Sequence, residues 1–457
     1  MVTSLSRAAL VGLSLPAAAV LGVAPALAQP PSPPVSVGEN PVHAPPQERA
    51  AALAHPAIVY IKAKFTAYVI LPDGRSLNRL VNDFKPFTVD VACTGFGVSP
   101  DGYIATAGHC VDTTSRSGIK YNIIEQGANR VNQLYPSTDV QKFIDGCLDN
   151  CTVEGKLKDS PPDSEISVVG GAAANGSVQD RPARVVGFRP FDEGDVALIK
   201  IDASDGPQPS IELAPSTQLQ IGTPVLAIGY LADIAPRTGL KPELTNKDGQ
   251  VSAKKSRDPV PVYEISAAVS AGMSGGPTIG LDGRVLGINS FKAAGEAHIA
   301  PAGELVELLN QNGVRNQLGA NDVTYRQGLT DYFSGEYTRA IADFDKLLAV
   351  FPNHPQALDY KTRAAIARDR FGDPIPPAQG PGVLRWVLIG AAGLLIVAVV
   401  AIVLLRPRGR HRRAQPAGPR LSIQRLDTRQ PQCWPNPRGP DLRLGPHRCP
   451  TIPYHER

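Results

Sequence analysis

Cys93-Thr94-Gly95-Phe96-Gly97-Val98-Ser99-Pro100-Asp101-Gly102-Tyr103-Ile104-Ala105-Thr106-Ala107-Gly108-His109-Cys110 sets the architecture of this chain. Two short β-prone runs, Phe96-Gly97-Val98 and Tyr103-Ile104-Ala105-Thr106, flank Asp101-Gly102, a pair suited to a tight hairpin turn. The same texture continues on both sides. Ile58-Val59-Tyr60-Ile61, Val196-Ala197-Leu198-Ile199, Pro224-Val225-Leu226-Ala227-Ile228 and Val285-Leu286-Gly287-Ile288 are further short runs, and Asp282-Gly283 is a second turn pair. No helical stretch of consequence is evident before Gly303, so the chain reads as an all-β barrel or sandwich over most of its length. Between Val111 and Arg181 the pattern is weak, polar and Gly-rich, which predicts long inserted loops.

The texture changes twice more. From about Asn321 the periodicity becomes helical: Tyr325, Leu329, Tyr332 and Phe333 share one face, Ala340, Phe344, Leu347 and Leu348 another, and Pro352 ends the second helix. Gly328, Gly335, Tyr337, Ala340, Phe344 and Pro352 resemble the pattern of a tetratricopeptide (TPR) repeat, so 321–371 is expected to be a small TPR-like helical module. A protein partner is a possible ligand for it; a plain spacer hairpin is the alternative, because one repeat is fewer than a free-standing solenoid needs. Residues 372–382 form a Pro/Gly linker, and 29–56 a Pro-rich, extended one.

The ends of the chain carry targeting signals. Arg7, the apolar run Ala8 to Val23 and the small-x-small site Ala26-Leu27-Ala28 read as a signal peptide over 1–28. Trp386 to Leu405 lacks any charge for about 20 residues, about 30 Å of helix, so 383–405 is expected to span a membrane and contact its lipid. Arg406, Arg408, Arg410, Arg412 and Arg413 follow and place that side in the cytoplasm by the positive-inside rule. The tail, 406–457, holds twelve arginines and three acids, a net +9 and an Arg/Pro-rich composition that reads as disordered. The whole chain is +4, so the remainder is −5, which argues against nucleic acid as a partner. The expected protein is thus single-pass in the cell membrane, its bulk outside the cytoplasm and its tail inside. Cys93, Cys110, Cys147 and Cys151 then lie where disulfides persist, and four cysteines allow three pairings.

Three segments carry chemistry together: Thr106-Ala107-Gly108-His109-Cys110, Asp195-Val196-Ala197-Leu198-Ile199-Lys200-Ile201 and Gly272-Met273-Ser274-Gly275-Gly276-Pro277. A serine hydroxyl is a weak nucleophile until a neutral imidazole takes its proton, and the imidazole needs a carboxylate on its other nitrogen. Asp192 is a rival to Asp195, but an acid directly before the run Val-Ala-Leu-Ile fits better. Glycines beside Ser274 let backbone N–H groups converge on a developing oxyanion.

On these motifs the chain resembles the trypsin-like serine peptidases of the chymotrypsin clan, and among them the bacterial HtrA group, over roughly Ala57 to Leu309. The resemblance implies a two-lobed antiparallel chymotrypsin-like double β-barrel (domain 57–312), followed by the helical module and one transmembrane helix. It implies a serine endopeptidase acting on protein or peptide substrates through an acyl-enzyme. His109 would be the general base, Asp195 the orienting acid and Ser274 the nucleophile, with backbone N–H groups of Gly272 and Ser274 as the oxyanion hole. Cys93–Cys110 matches the family's disulfide beside the histidine, which leaves Cys147–Cys151 as a local bridge. Two departures stand out. Met273 replaces the acid that pairs with a cut N-terminus in pancreatic-type enzymes, and Ala268 stands where trypsin-like specificity places an acid, so a small or apolar residue is expected before the scissile bond. No metal-spaced cluster or phosphate loop is evident, so no metal or cofactor is expected. A latent barrel serving as a peptide-binding, scaffold or signalling protein is the alternative function.

Overall fold

The computed structural model describes residues 39–116, 118–170, 180–204, 206–214, 219–232, 244–257, 260–293, 295–374, 390, 393–398 and 401. Seven strands belong to the first half: β1 (Ile58–Ile70), β2 (Phe87–Ser99), β3 (Tyr103–Thr106), β4 (Thr152–Glu154), β5 (Asp163–Gly170), β6 (Arg181–Arg189) and β7 (Val196–Ile201). Their pairings run β2-β3-β7-β6-β5-β1, and β1 pairs again with β2, which closes a six-stranded antiparallel barrel; the short β4 extends one end of β1. Period-2 patterning explains why β1 joins it: Ile61, Ala63, Phe65, Ala67 and Val69 are buried between the exposed Lys62 and Lys64 on the other face. The turn between β2 and β3 uses Gly102 at φ +91°, where a Cβ would meet the Ile201 carbonyl at 2.7 Å.

The second barrel closes through β8 (Pro224–Tyr230), β9 (Leu244–Arg257), β10 (Val260–Ile265), β11 (Pro277–Ile279), β12 (Val285–Ala293) and β13 (Glu296–Pro301), in the ring β10-β13-β12-β11-β8-β9. Ring closure pairs both edges of each six-stranded barrel, a condition that suits an all-β core. The helix Ala302–Gln311 then packs its Leu305, Leu308 and Leu309 onto the first barrel's core. Two closed antiparallel barrels in succession are the chymotrypsin-like double barrel.

Two stretches differ from the expectations above. The insertion after His109 is not a set of loops: it contains the helices Ile119–Leu134 and Val140–Asn150. The first buries a thin stripe, Ile119, Ile123, Ile124, Gly127 and Ala128, in which Gly127 allows an approach that would put a Cβ 2.8 Å from Leu77. A stripe so narrow and interrupted by Gly, Asn and Gln residues carries little hydrophobic periodicity. Cys147 and Cys151 lie one turn apart at the end of the second helix and are joined to each other, and Cys93 is joined to Cys110. Second, the Pro-rich stretch 29–56 is not extended throughout. Pro46 starts a helix, Pro46–Ala54, in the position where proline's missing N–H costs nothing.

The helical module comprises Ala320–Phe333, Tyr337–Val350 and Pro355–Phe371. Its core is aromatic, with Tyr325, Tyr332, Tyr337, Phe344 and Tyr360 buried together, and Gly328 admits the Phe344 ring, which a Cβ would meet at 2.7 Å. The module is bolted to the barrels. Asn316 donates to the carbonyls of Val98 and Ile211 and accepts the Leu213 N–H. Asp322 accepts three donors on one oxygen: the Ser210 hydroxyl at 2.8 Å, the Ser210 N–H at 3.2 Å and the Gly319 N–H at 2.9 Å. Pro46–Ala54 fills the remaining gap, with Ala50, Ala51 and Ala54 in the barrel core, Ala52 in the module's core, and Arg49 over the Phe333 ring.

Among the described residues no helix is long and apolar enough to cross a membrane. Of the expected span 383–405 only 390, 393–398 and 401 are described, and these are helical. The expected signal peptide and the tail lie outside the described residues.

Replacing Asp322 with Ala strands the buried N–H groups of Ser210 and Gly319 at the junction of barrel and module, while the Ser210 hydroxyl keeps the Gln317 carbonyl. A loss of about 1–3 kcal/mol is expected in urea unfolding, at the scale of an unsatisfied buried group.

Candidate active site

His109 lies in the single 3-10 turn Gly108–Cys110 that ends β3. The turn is fixed by the Cys93 bridge on one side and by close packing on the other, where a Cβ on Gly108 would meet the Arg189 carbonyl at 2.1 Å. Asp195 ends the hairpin loop between β6 and β7 and takes a left-handed backbone, φ +48°. That conformation turns its carboxylate back toward the histidine. The His109 ring Nδ1–H donates to both carboxylate oxygens at 3.0 Å, and the His109 backbone N–H donates to Oδ1 at 2.9 Å. The Ser290 hydroxyl, from the second barrel, donates to Oδ2.

The electrostatics follow from this arrangement. Burial of Asp195 opposes its charge, but the His109 charge and the hydrogen bonds from His109 and Ser290 outweigh it and hold the carboxyl below its ordinary range. Burial likewise opposes an imidazolium at His109, yet the negative charge and hydrogen bond of Asp195, helped by the charge of Asp112, raise it above its ordinary 6.5. The pairing of the two groups is common to both shifts.

Ser274 belongs to the tight loop before β11. Gly272 at φ +90° and Gly275 at φ +83° make the loop, and neither tolerates a side chain: a Cβ on Gly275 would meet Thr106 Oγ1 at 2.1 Å. The N–H groups of Met273, Gly275 and Gly276 are taken by the carbonyls of Ser270, Asn289 and Met273. Those of Gly272 and Ser274 make no hydrogen bond among the described residues. The Ser274 hydroxyl donates to the Ser290 carbonyl at 3.2 Å and not to the His109 ring.

The structure therefore brings His109 and Asp195 into contact and binds Ser274 to the same strand residue, Ser290, that holds Asp195. Three supporting residues escaped the sequence reading. Thr94 donates its N–H to the Ser274 carbonyl at 2.8 Å and its hydroxyl to the Gly272 carbonyl at 2.7 Å, so the first barrel holds the loop of the second. Asn289 donates its side-chain amide to the Met273 carbonyl at 3.2 Å and exchanges backbone hydrogen bonds with Gly275 and Gly276. Ser290 is the third. The rival acid Asp192 is exposed and makes no contact with His109. Met273 is fully buried in the second barrel's core, and Ala268 is exposed. Cys93, Cys110 and His109 gather two sulfurs and a ring nitrogen within 4.8 Å, but the sulfurs are spent on each other and offer no thiolate to a metal.

A double barrel with a His–Asp pair and a glycine-framed serine loop at the junction defines a trypsin-like serine peptidase site. Sequence comparison agrees: residues 93–288 match the family described as trypsin-like peptidase domain. The chain is 40% identical over 112 residues to a probable periplasmic serine endoprotease DegP-like of Pseudomonas fulva, covering 24% of this chain and 21% of that protein. It is 26% identical over 230 residues to a protein of the same description from Chlamydia pneumoniae, covering 49% and 34%. It is 32% identical over 131 residues to Serine protease HTRA1B of Danio rerio, covering 28% and 27%. The chain thus spans about a fifth to a third of the length of these relatives.

Because His109 is raised, the neutral imidazole forms only above the ordinary histidine midpoint. Any reaction that uses it as base should have an acid limb above pH 6.5. Asp195→Asn should move the His109 midpoint, followed by NMR of 15N-histidine-labelled protein, downward.

Proposed function

We propose that this chain is a membrane-anchored extracytoplasmic serine endopeptidase. The observation that carries the reading is the doubly bonded pair of part-buried His109 and buried Asp195, beside a serine loop with two N–H groups uncommitted among the described residues. His109 accepts the Ser274 proton once the hydroxyl rotates away from the Ser290 carbonyl, and Ser274 attacks a peptide carbonyl. The oxyanion is received by the N–H groups of Gly272 and Ser274. His109 protonates the leaving amine, and water activated by the same ring releases the acyl group. Asp195 keeps the imidazole in the useful tautomer throughout. The relatives' description as periplasmic endoproteases supports an exported peptidase with protein or peptide substrates. The signal-peptide pattern at 1–28 and the apolar 383–405 support export followed by anchoring, with the Arg-rich tail inside.

One observation favours a second reading. The Ser274 hydroxyl is engaged with Ser290 and not His109, the arrangement of a latent site that would bind peptide without cutting it. Full-length protein in detergent, treated with a fluorophosphonate, separates the two. Wild type should be labelled and Ser274→Ala should not, with a loss of on the order of 10⁴-fold or more in peptide cleavage. A folded wild type that resists labelling would leave the latent reading standing. Alkaline carbonate extraction tests the anchor: the chain is expected in the membrane pellet, and a variant ending before 383 in the soluble fraction.

A further inference from the structure

The loop that carries Asp195 is built to be held from outside itself. β6 and β7 last pair at Arg189 and Val196, and Pro190–Asp195 must turn the chain between them. The Pro190 carbonyl accepts the N–H groups of both Glu193 and Asp195 at 2.9 Å, which ties the loop into a knot. Its last two residues pay for this in backbone conformation, with Gly194 at φ +123° and Asp195 at φ +48°. A non-glycine residue in that region persists only where its surroundings impose it.

Two contacts reach the loop from residues of the second barrel and its closing helix. Phe191 packs edge-on against Phe291, ring centres 4.8 Å apart. The Arg189 guanidinium forks onto the helix Ala302–Gln311, donating to Glu304 at 2.5 Å and to Glu307 at 2.9 Å. The two acids are not equivalent. Glu304 is 13% exposed and lies over the strained turn, its Oε2 2.9 Å from where a Cβ on Gly194 would stand; Glu307 is 65% exposed at the rim. Arg189 meanwhile sets its carbonyl against Gly108, the residue before His109. One ion pair therefore covers the acid's turn while the backbone of its cationic member touches the base's turn.

We propose that Arg189 and Glu304 are positioning residues for the triad, their ion pair holding the Gly194–Asp195 turn in its left-handed conformation with the carboxylate aimed at His109. The assignment rests on the catalytic reading of His109, Asp195 and Ser274, and it adds a pair with no contact to the reacting atoms. A planar guanidinium suits the role, because its fork serves Glu304 and Glu307 at once without swinging between them.

The test uses full-length protein and two readouts, the His109 midpoint by 15N NMR and the rate of fluorophosphonate acylation. Besides Asp195, the charge facing the His109 ring is that of Asp112, on the turn that follows it. Glu304→Ala and Arg189→Ala should lower the His109 midpoint and slow acylation at saturating reagent by on the order of 10- to 100-fold, the scale of a sub-ångström to 1 Å misplacement, with half-saturation unchanged. Glu307→Gln should leave both within about two-fold, as for a rim charge. If the alanine variants do not fold, Glu304→Gln and Arg189→Lys keep the bulk and should show the same lowered midpoint. Folded variants of Glu304 and Arg189 with a wild-type midpoint would overturn the proposal. A wild type that does not acylate would defeat the catalytic reading alone, since the titration still reports whether the pair orients Asp195 toward His109.

Discussion

Burying a carboxylate costs several kcal/mol unless charge and hydrogen bonds compensate, and Asp195 is only 2% exposed where the two barrels meet. Its compensation comes from both sides. His109 of the first barrel supplies a ring N–H and a backbone N–H, and Ser290 of the second supplies a hydroxyl. The serine loop is shared in the same manner, since Thr94 of the first barrel holds the Gly272 and Ser274 carbonyls of the second. Neither barrel alone satisfies the polar groups it brings to the junction. The site is thus also the seam, and the geometry of the chemistry and the docking of the two halves are one constraint.

Much of this was legible in the chain before any coordinates. His109, Asp195 and Ser274 each sit in short motifs with a mechanistic reason for their neighbours, and the turn pair Asp101-Gly102 predicts the hairpin that delivers His109. Thr94, Asn289 and Ser290 were not legible, for a common reason. Each acts through a hydrogen bond to a residue distant in sequence or to a backbone group, and a Thr, Asn or Ser in a strand announces nothing by itself. Arg189 and Glu304 are 115 residues apart, and no local pattern relates them.

The helices missed between His109 and β5 have a different cause. A helix that lies on a barrel needs only a narrow apolar stripe, and Ile119–Leu134 supplies it with three isoleucines, Gly127 and Ala128. The pattern is faint because most of the surface is left to Asn, Gln, Glu and Arg. Pro46–Ala54 was hidden by the opposite effect, prolines that mark a helix start and also resemble a linker. The helical periodicity from Asn321 onward, by contrast, lies in closely spaced residues, and the structure has helices there in which Gly328 meets Phe344.

The small helix Pro46–Ala54 has a consequence for how the molecule is made. Three of its alanines belong to the core of the barrels and one, Ala52, to that of a module that begins some 270 residues later, where the Tyr325 hydroxyl reaches the Ala52 carbonyl. A chain synthesised from its N-terminus produces this segment before any surface it can rest on. Its seat against the module's core exists only once 320–371 has emerged. A segment made early thus completes its contacts late, and its docking fastens the barrels to the helical module.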